Sequence, residues 1–447
     1  MPLYALVDGN SFYASCQIAF QPWLKHRPVV VLSNNDGCIV AANDLAKQLD
    51  RHYFKQRNLG AGGYHAAMPN SMMFQPYYKV AGLLKKHDTV VFSSNYELYE
   101  DMSHRMHRIT AGFAERQTIY SIDESFLDFG NLTLEAAERH ARKLRQTVDQ
   151  YLGLPVAVGL GRSKTEAKLA NRLAKKLSYS NGVFNLGNLS EKAHDALLKT
   201  LEVGEIWGVG KRMANRLHEQ NIHTAYDLKH ADSKTVRRLY SVHLERTVQE
   251  LNGQACLPFY DAHPYKRQII SSRSFGRNIT DLQEMRQAVT YHVCKAAEKL
   301  RRQQCRCTSL SVHIRTADHS FKPTYRNQQS IVWIRPSDDS IVLSRYAHQA
   351  LRAIWQSGFD YAKAGVVLSD IEPWGTEQFD LFSPPEDLAA EQKSTNLMQL
   401  MDRINRHNGQ NSLQLGSSGL LNNSWKMRRN LMSPRYTTQW GELLTVN

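Results

Sequence analysis

A chain of 447 residues with 42% apolar side chains has material for two to four domains, each with its own core. No apolar run approaches the roughly 18 residues that span a bilayer. The start MPLYALVDGNSFY lacks a basic leader and carries Asp8, and six cysteines without CxxC spacing read as reduced thiols of a cytoplasmic protein. The formal charge of +14 is localised: residues 164–246 hold 15 Lys/Arg against 9 Asp/Glu, and residues 251–355 hold 16 against 7. That pattern fits a grip on a polyanion, with solvated surface as the plainer reading.

In chain order, LYALVD (3–8) alternates as a strand ending on an acid. TVVFSS (89–94) and SFLDFG (125–130) are strand-like. Ala136, Ala137, Leu144, Val148 and Leu152 space a helix over 133–152. PVAVGLG (155–161) is a buried strand, and a lysine-rich helix follows from about Ser163 to Lys176. Together these predict an α/β layer with residues 14–78 inserted after its first strand. Residues 267–370 read as strand, helix, two strands, helix and strand, a β-α-β-β-α-β unit. Its first helix is expected to open with a capping box of Thr280 and Gln283, and its second to end near Gly358. Beyond 370 the Pro, Gly, Asn and Ser content predicts linker or tail.

Chemistry concentrates at YSIDESFLDF (120–129), where Asp123 and Glu124 interrupt a strand-like run. Unpaired buried charge is costly, and adjacent strand residues face opposite ways. The two acids therefore share one site only at a turn, a bulge or a strand end. With Asp8 they could hold Mg²⁺ for an in-line displacement at phosphorus, or serve only as a hairpin edge and a strand cap. Phe12 and Tyr13 follow the first strand and could floor a nucleotide pocket or belong to the core. Lys164, Lys168 and Lys175 lie on one helix, whose lysine at the far end could reach a triphosphate, with a solvated face as the plainer reading. IWGVGKRMANRL (206–217) sets Gly208, Gly210 and Lys211 in a turn whose N–H groups suit a phosphate, the helix-hairpin-helix pattern, against an ordinary helical hairpin. QFDLF (378–382), with Gln378, Leu381 and Phe382, suits a peptide that docks into a partner's groove.

These pieces resemble the Y family of DNA polymerases, and within it the UmuC subgroup, the catalytic subunits of DNA polymerase V and plasmid-borne relatives. The resemblance covers nearly the whole chain. Its most specific strings are FYASC (12–16), VVVLSNNDGC (29–38), FSSNYELY (92–99), YSIDE (120–124), LERTVQEL (244–251), SRSFG (272–276) and SPRYTT (433–438). It implies a multidomain α+β fold, a right-handed polymerase with a ferredoxin-like palm (1–13 and 79–163) and small fingers (14–78). A helical thumb with the helix-hairpin-helix (164–246), a βαββαβ little finger (251–370) and a tail (371–447) would follow.

By the same resemblance, Asp8, Asp123 and Glu124 with the Gly9 carbonyl would ligate two Mg²⁺. Tyr13 would be the steric gate against a ribose 2′-hydroxyl, with Phe12 beneath the sugar and base. Lys175 and Lys47 would hold the triphosphate. Gly208, Gly210 and Lys211 would grip DNA, and Gln378, Leu381 and Phe382 a sliding clamp. A family tyrosine is replaced by Asp44, repulsive to a triphosphate unless it points away or pairs with Lys47, and Lys47 stands where other subgroups have an arginine. The implied activity is error-prone translesion synthesis on primer–template DNA with dNTP in the SOS response, in the bacterial cytoplasm. Its partners would be a processed UmuD-type dimer and a RecA filament. The alternatives are a catalytically inactive relative that binds DNA or regulates, and a nucleotidyl cyclase.

Overall fold

The computed structural model describes residues 2–50, 71–130, 132–259, 265–317, 322–375, 385–409, 411–419 and 425–443. The chain divides into two units. The first is Met1–Ser33, Gly37–Ala262 and Leu431–Asn447, and the second Asn34–Asp36 and His263–Asn430.

The strands of the first unit are β1 (Tyr4–Gly9), β2 (Val29–Leu32), β3 (Ile39–Ala42), β4 (Val90–Ser93), β5 (Arg116–Ile119), β6 (Glu124–Asp128), β7 (Val156–Gly161) and β8 (Val183–Asn185). Its helices are α1 (Phe12–Phe20), α2 (44–50), α3 (Tyr77–Lys86), α4 (Tyr96–Ala111), α5 (Leu134–Leu152) and α6 (Lys164–Lys176). After them come α7 (Glu191–Lys199), α8 (Lys211–His218), α9 (Ala225–His230), α10 (Ser233–Leu239) and α11 (Val242–Leu251). The main sheet runs β5-β6-β1-β7-β8. Its centre, β1, is covered on both faces: Ala5 and Val7 join a core with α1, α4 and α5, while Tyr4 and Leu6 meet Phe126 and Ala167. The alternation expected of 3–8 is therefore absent: YALV is apolar throughout because both faces of the strand are covered. Helix α6 crosses β7 so closely that a Cβ at Gly159 would lie 2.0 Å from the Asn171 nitrogen. Asn171 pins the crossing by donating to the Leu6 and Ala157 carbonyls at 3.1 and 2.8 Å.

A second sheet, β3-β2-β4, has its own small core of Val30, Leu32, Ile39, Ala46, Met72, Val80 and Leu84. The sequence reading groups 79–163 with the main layer. Instead β4 pairs in parallel with β2, Val29 opposite Val90, and α3 packs on the same small core. A short apolar run such as Val90–Phe92 announces a strand but not its neighbour.

The second unit follows the expected order: β9 (Ile269–Ile279), α12 (Leu282–Arg302), β10 (Cys305–Thr316), β11 (Arg326–Ser337), α13 (Ser340–Ile354) and β12 (Tyr361–Pro373). Its sheet is antiparallel, β11-β10-β12-β9, with Leu310, Val312 and Val366 packed in one core with Val289, Val293 and Leu351 of α12 and α13. Two local expectations fail. Asp281, not Thr280, caps α12 and accepts from the Glu284 N–H at 2.9 Å. Helix α13 stops at Ile354, and Gly358, at φ +87°, turns the chain further on.

The polar stretch beyond 370 is more than a linker. It contains α14 (Pro385–Asn408), where Asp402 receives a two-pronged pair of hydrogen bonds from the buried Arg301 at 2.7 and 2.8 Å. Trp425 enters the second unit's core and Tyr436 that of the first. No helix among the described residues is long and apolar enough to cross a membrane.

Candidate functional site

The turn before β6 resolves how two adjacent acids reach one place. Asp8 lies directly opposite Glu124 in the β1–β6 register. Asp123 sits one residue before the strand, in the turn, where its carbonyl accepts the Gly9 N–H at 2.9 Å. The Ser121 hydroxyl donates to Asp123 Oδ1 at 2.7 Å and accepts the Glu124 N–H at 3.1 Å, so the turn is fixed by its own serine. A Cβ at Gly9 would come within 2.9 Å of Phe12, which presses the start of α1 against the same spot.

Two lysines of α6 neutralise the acids. Lys175 Nζ meets Asp8 Oδ1 at 2.6 Å, and Lys168 Nζ meets both Glu124 carboxylate oxygens at 3.1 Å. Burial raises the pKa of Asp8 to about 7, opposed by Lys175 and reinforced by Glu124 beside it. Asp8 and Lys175 border two cavities. One, of about 390 Å³, is lined by Gly9, Phe12, Tyr13, Lys47 and Asp123, and the other, of about 250 Å³, by Glu124, Lys168, Arg172 and Trp207. Tyr13 stacks on Tyr99 at 4.4 Å and meets Tyr96 edge-on, so its ring is a held wall of the larger cavity. Lys47 donates to Ser11 Oγ at 2.6 Å, while Asp44 points outward, 86% exposed, and reaches Lys47 only at 3.5 Å.

The impB/mucB/samB family matches residues 7–52 and 64–172, its C-terminal domain 266–381, and a domain of unknown function 395–446. The protein UmuC of Salmonella typhimurium is 39% identical over 99% of this chain and all of its own. The chain belongs to the impB/mucB/samB family. MucB of Escherichia coli is 41% identical over 98% of both chains, and DNA polymerase IV 1 of Bacillus subtilis 24% over 92% of both. A Y-family DNA polymerase chimera of Dbh and Dpo4 superposes with a TM-score of 0.61 at 19% identity, over 83% of this chain and 99% of its own. The insertion ternary complex of Dbh DNA polymerase gives 0.51 at 19% identity over the same shares. The fold is that of the Y-family polymerases, mixed α+β and multidomain.

In this family member the structure brings Asp8, Gly9, Phe12, Tyr13, Lys47, Asp123 and Lys175 to one cavity, with Glu124 one strand pairing away. Gly208, Gly210 and Lys211 lie elsewhere in the first unit. Gly208 turns at φ +88° and Gly210 caps α8, but the element immediately before them is a three-residue 3₁₀ turn (Val203–Glu205), not a full helix. Gln378, Leu381 and Phe382 lie outside the described residues.

Sequence reasoning left Lys168 unassigned and missed its setting. Its ammonium stands over the Tyr120 ring at 4.2 Å and the Trp207 ring at 5.3 Å, and Trp207 Nε1 donates to the Tyr120 hydroxyl at 3.2 Å. Lys164, four residues back on the same stripe, is instead spent on the Pro258 carbonyl and the Phe259 ring. Spacing alone could not separate the two, because both face the sheet. No group of three or more His, Cys, Asp or Glu stands gathered as a metal site among the described residues. The donors nevertheless suit a hard divalent cation: they are all oxygen, Asp8 stands directly opposite Glu124, and the acids are held by two ammonium groups that a cation could displace.

Proposed function

We propose that the chain is an error-prone translesion DNA polymerase that adds dNTP to a primer 3′-hydroxyl under template direction, in the SOS response to DNA damage. The observation that carries this reading is the convergence of Asp8 and Asp123 with Tyr13, Lys47 and Lys175 on one cavity. In that role Asp8, Asp123 and Glu124 with the Gly9 carbonyl would hold two Mg²⁺, which would activate the 3′-hydroxyl and stabilise the pyrophosphate leaving group. Every other part belongs to the chain. Lys175 and Lys47 meet the triphosphate, each as a point charge able to exchange Asp8 or Ser11 for a phosphate oxygen. Tyr13, backed by Tyr99, cannot retreat from a ribose 2′-hydroxyl and selects deoxynucleotides.

DNA contacts are assigned to the Gly208–Lys211 turn and to the second unit's sheet. There Arg326, Arg315 and Lys363 stand in register across three strands. A row of positive side chains at this spacing suits a phosphate backbone. The main sheet serves as palm, the β3-β2-β4 sheet as fingers, the α7–α11 helices as thumb and the second unit's sheet as little finger. The sliding clamp, a processed UmuD-type dimer and a RecA filament are the expected partners, the clamp through Gln378, Leu381 and Phe382.

Template-directed incorporation by wild type, compared with Asp123→Ala, tests the reading. Incorporation by wild type and none by the variant, with equal DNA binding, is expected. Equal incorporation by both would end the assignment of the acids.

A further inference from the structure

The end of the chain is built into the first unit, against the two helices that carry the tyrosine wall. Leu431 exchanges two bonds with Ser93 at the end of β4: Ser93 N donates to the Leu431 carbonyl, and Leu431 N to Ser93 Oγ, each at 2.9 Å. Asn95 is fully buried and caps α4, accepting from the Leu98 N–H at 3.3 Å. Its amide nitrogen serves the C-terminal segment: the Ser433 carbonyl at 3.1 Å, the Ser433 hydroxyl at 3.0 Å and the Pro434 carbonyl at 3.1 Å. Three residues on from Ser433, the Tyr436 ring lies flat on Phe20, the last residue of α1, at 4.7 Å and 8°. Its hydroxyl accepts from Gln21 Nε2 at 2.9 Å. Arg435 closes the segment on itself through a two-pronged pair with Glu442.

What these anchors hold is specific. Helix α1 opens with Phe12 and Tyr13, and α4 with Tyr96, followed one turn later by Tyr99. The two helices meet where Tyr13 stacks on Tyr99 and where Gln17 donates to the Tyr99 hydroxyl at 2.9 Å. The C-terminal segment thus ties the far end of α1 to Asn95, the residue just before Tyr96 at the start of α4, while the cavity lies at the opposite end of α1, where Tyr13 meets that same first turn of α4. None of the residues lining the cavity belongs to the segment, so any effect on nucleotides must pass through the elements it anchors, α1, α4 and the end of β4.

We propose that residues 431–443 are a positioning strap for the sugar wall, with Tyr436 and Asn95 as positioning residues that set how firmly Tyr13 is held. The strap rests on the reading of Tyr13 as the wall against ribose. With the strap in place, α1 and α4 move as one body and Tyr13 keeps its rotamer. Without it, α1 gains freedom about its C-terminal end, and a ribonucleotide is tolerated.

The test uses the full chain and three variants, Tyr436→Ala, Tyr436→Phe and Tyr13→Ala, with two readouts. The first, amide hydrogen exchange, needs no activity. Tyr436→Ala is expected to speed exchange in 14–20 and 96–102 by roughly fivefold to tenfold, the weight of one stacked aromatic pair. Amides of α5 should stay unchanged, and Tyr436→Phe, which keeps the stack, should stay near wild type. The second is the ratio of kcat/KM for a deoxynucleotide over its ribonucleotide. It should fall on the order of tenfold in Tyr436→Ala, between wild type and Tyr13→Ala. Unchanged exchange in α1 and α4, or a uniform rise across the unit, overturns the strap. A ratio that falls in Tyr13→Ala but not in Tyr436→Ala overturns it too and leaves the wall intact. A ratio unmoved by Tyr13→Ala overturns the wall itself and with it the strap's effect on sugar choice.

Discussion

Lys175 and Lys168 are the residues on which the chemistry of the site turns, because each holds an acid that the proposed reaction needs free. Asp8 is largely buried and lifted toward neutrality, so Lys175 stabilises its charged form. If Lys175 then turns to the triphosphate, Lys175→Ala should raise KM for dNTP on the order of tenfold, the weight of one charge-assisted hydrogen bond. Steady-state kinetics on an undamaged template would check this, and an unchanged KM would leave Lys175 as no more than a partner of Asp8. At this scale the sequence was informative where chemistry is rare. An Asp-Glu pair in an apolar run has few uses, and Asp8 at a strand end is conspicuous. It was silent on Trp207, since an aromatic before a glycine turn looks like core until Tyr120 and Lys168 are seen beside it.

Among the elements, α12 offers two measurable consequences. Asp281→Ala should cost about 1 kcal/mol of stability and Thr280→Ala a few tenths, because only the former accepts a helix N–H. Equal losses in chemical denaturation would restore Thr280 as the cap. His292, buried on α12 against Ser271, has its pKa pushed down to about 3 by burial, with Arg273 of β9, His313 of β10 and Lys363 of β12 adding to the effect. The folded chain keeps this imidazole neutral while the unfolded chain protonates it below about 6.5. Its contribution is therefore whole above that pH and declines progressively as pH falls toward about 3. Thermal unfolding of His292→Phe should show a flatter decline over that window than wild type, and parallel curves would contradict the burial argument. The β-α-β-β-α-β order was readable because long periodic elements with clear turns carry it. The pairing of β4 with β2 was not, nor was the tail, whose composition is polar and whose anchors Asp402, Trp425 and Tyr436 are too widely spaced to form a pattern.

Over the whole molecule, the charge excess in 164–246 and 251–355 is the feature that composition revealed most directly. The structure gives two of those charges, Arg315 and Arg326, a geometry, in one row with Lys363 further along the chain. Neutralising those three together should flatten the log–log salt dependence of duplex affinity by about 0.9 for each phosphate that the row pairs with. An unchanged slope would place the grip elsewhere. Family membership and the Y-family fold come from nearly the full length of the chain, whereas the chemistry rests on a handful of side chains around Asp8. The measurement that weighs most is primer extension across an abasic template site by the full chain with Mg²⁺, clamp, processed UmuD-type dimer and RecA filament. The Asp123→Ala/Glu124→Ala double variant is assayed beside it. Extension past the lesion by wild type alone is the predicted result. Extension by both, or by neither while primer–template binding stays intact, would contradict the central claim that these carboxylates make the chain a polymerase.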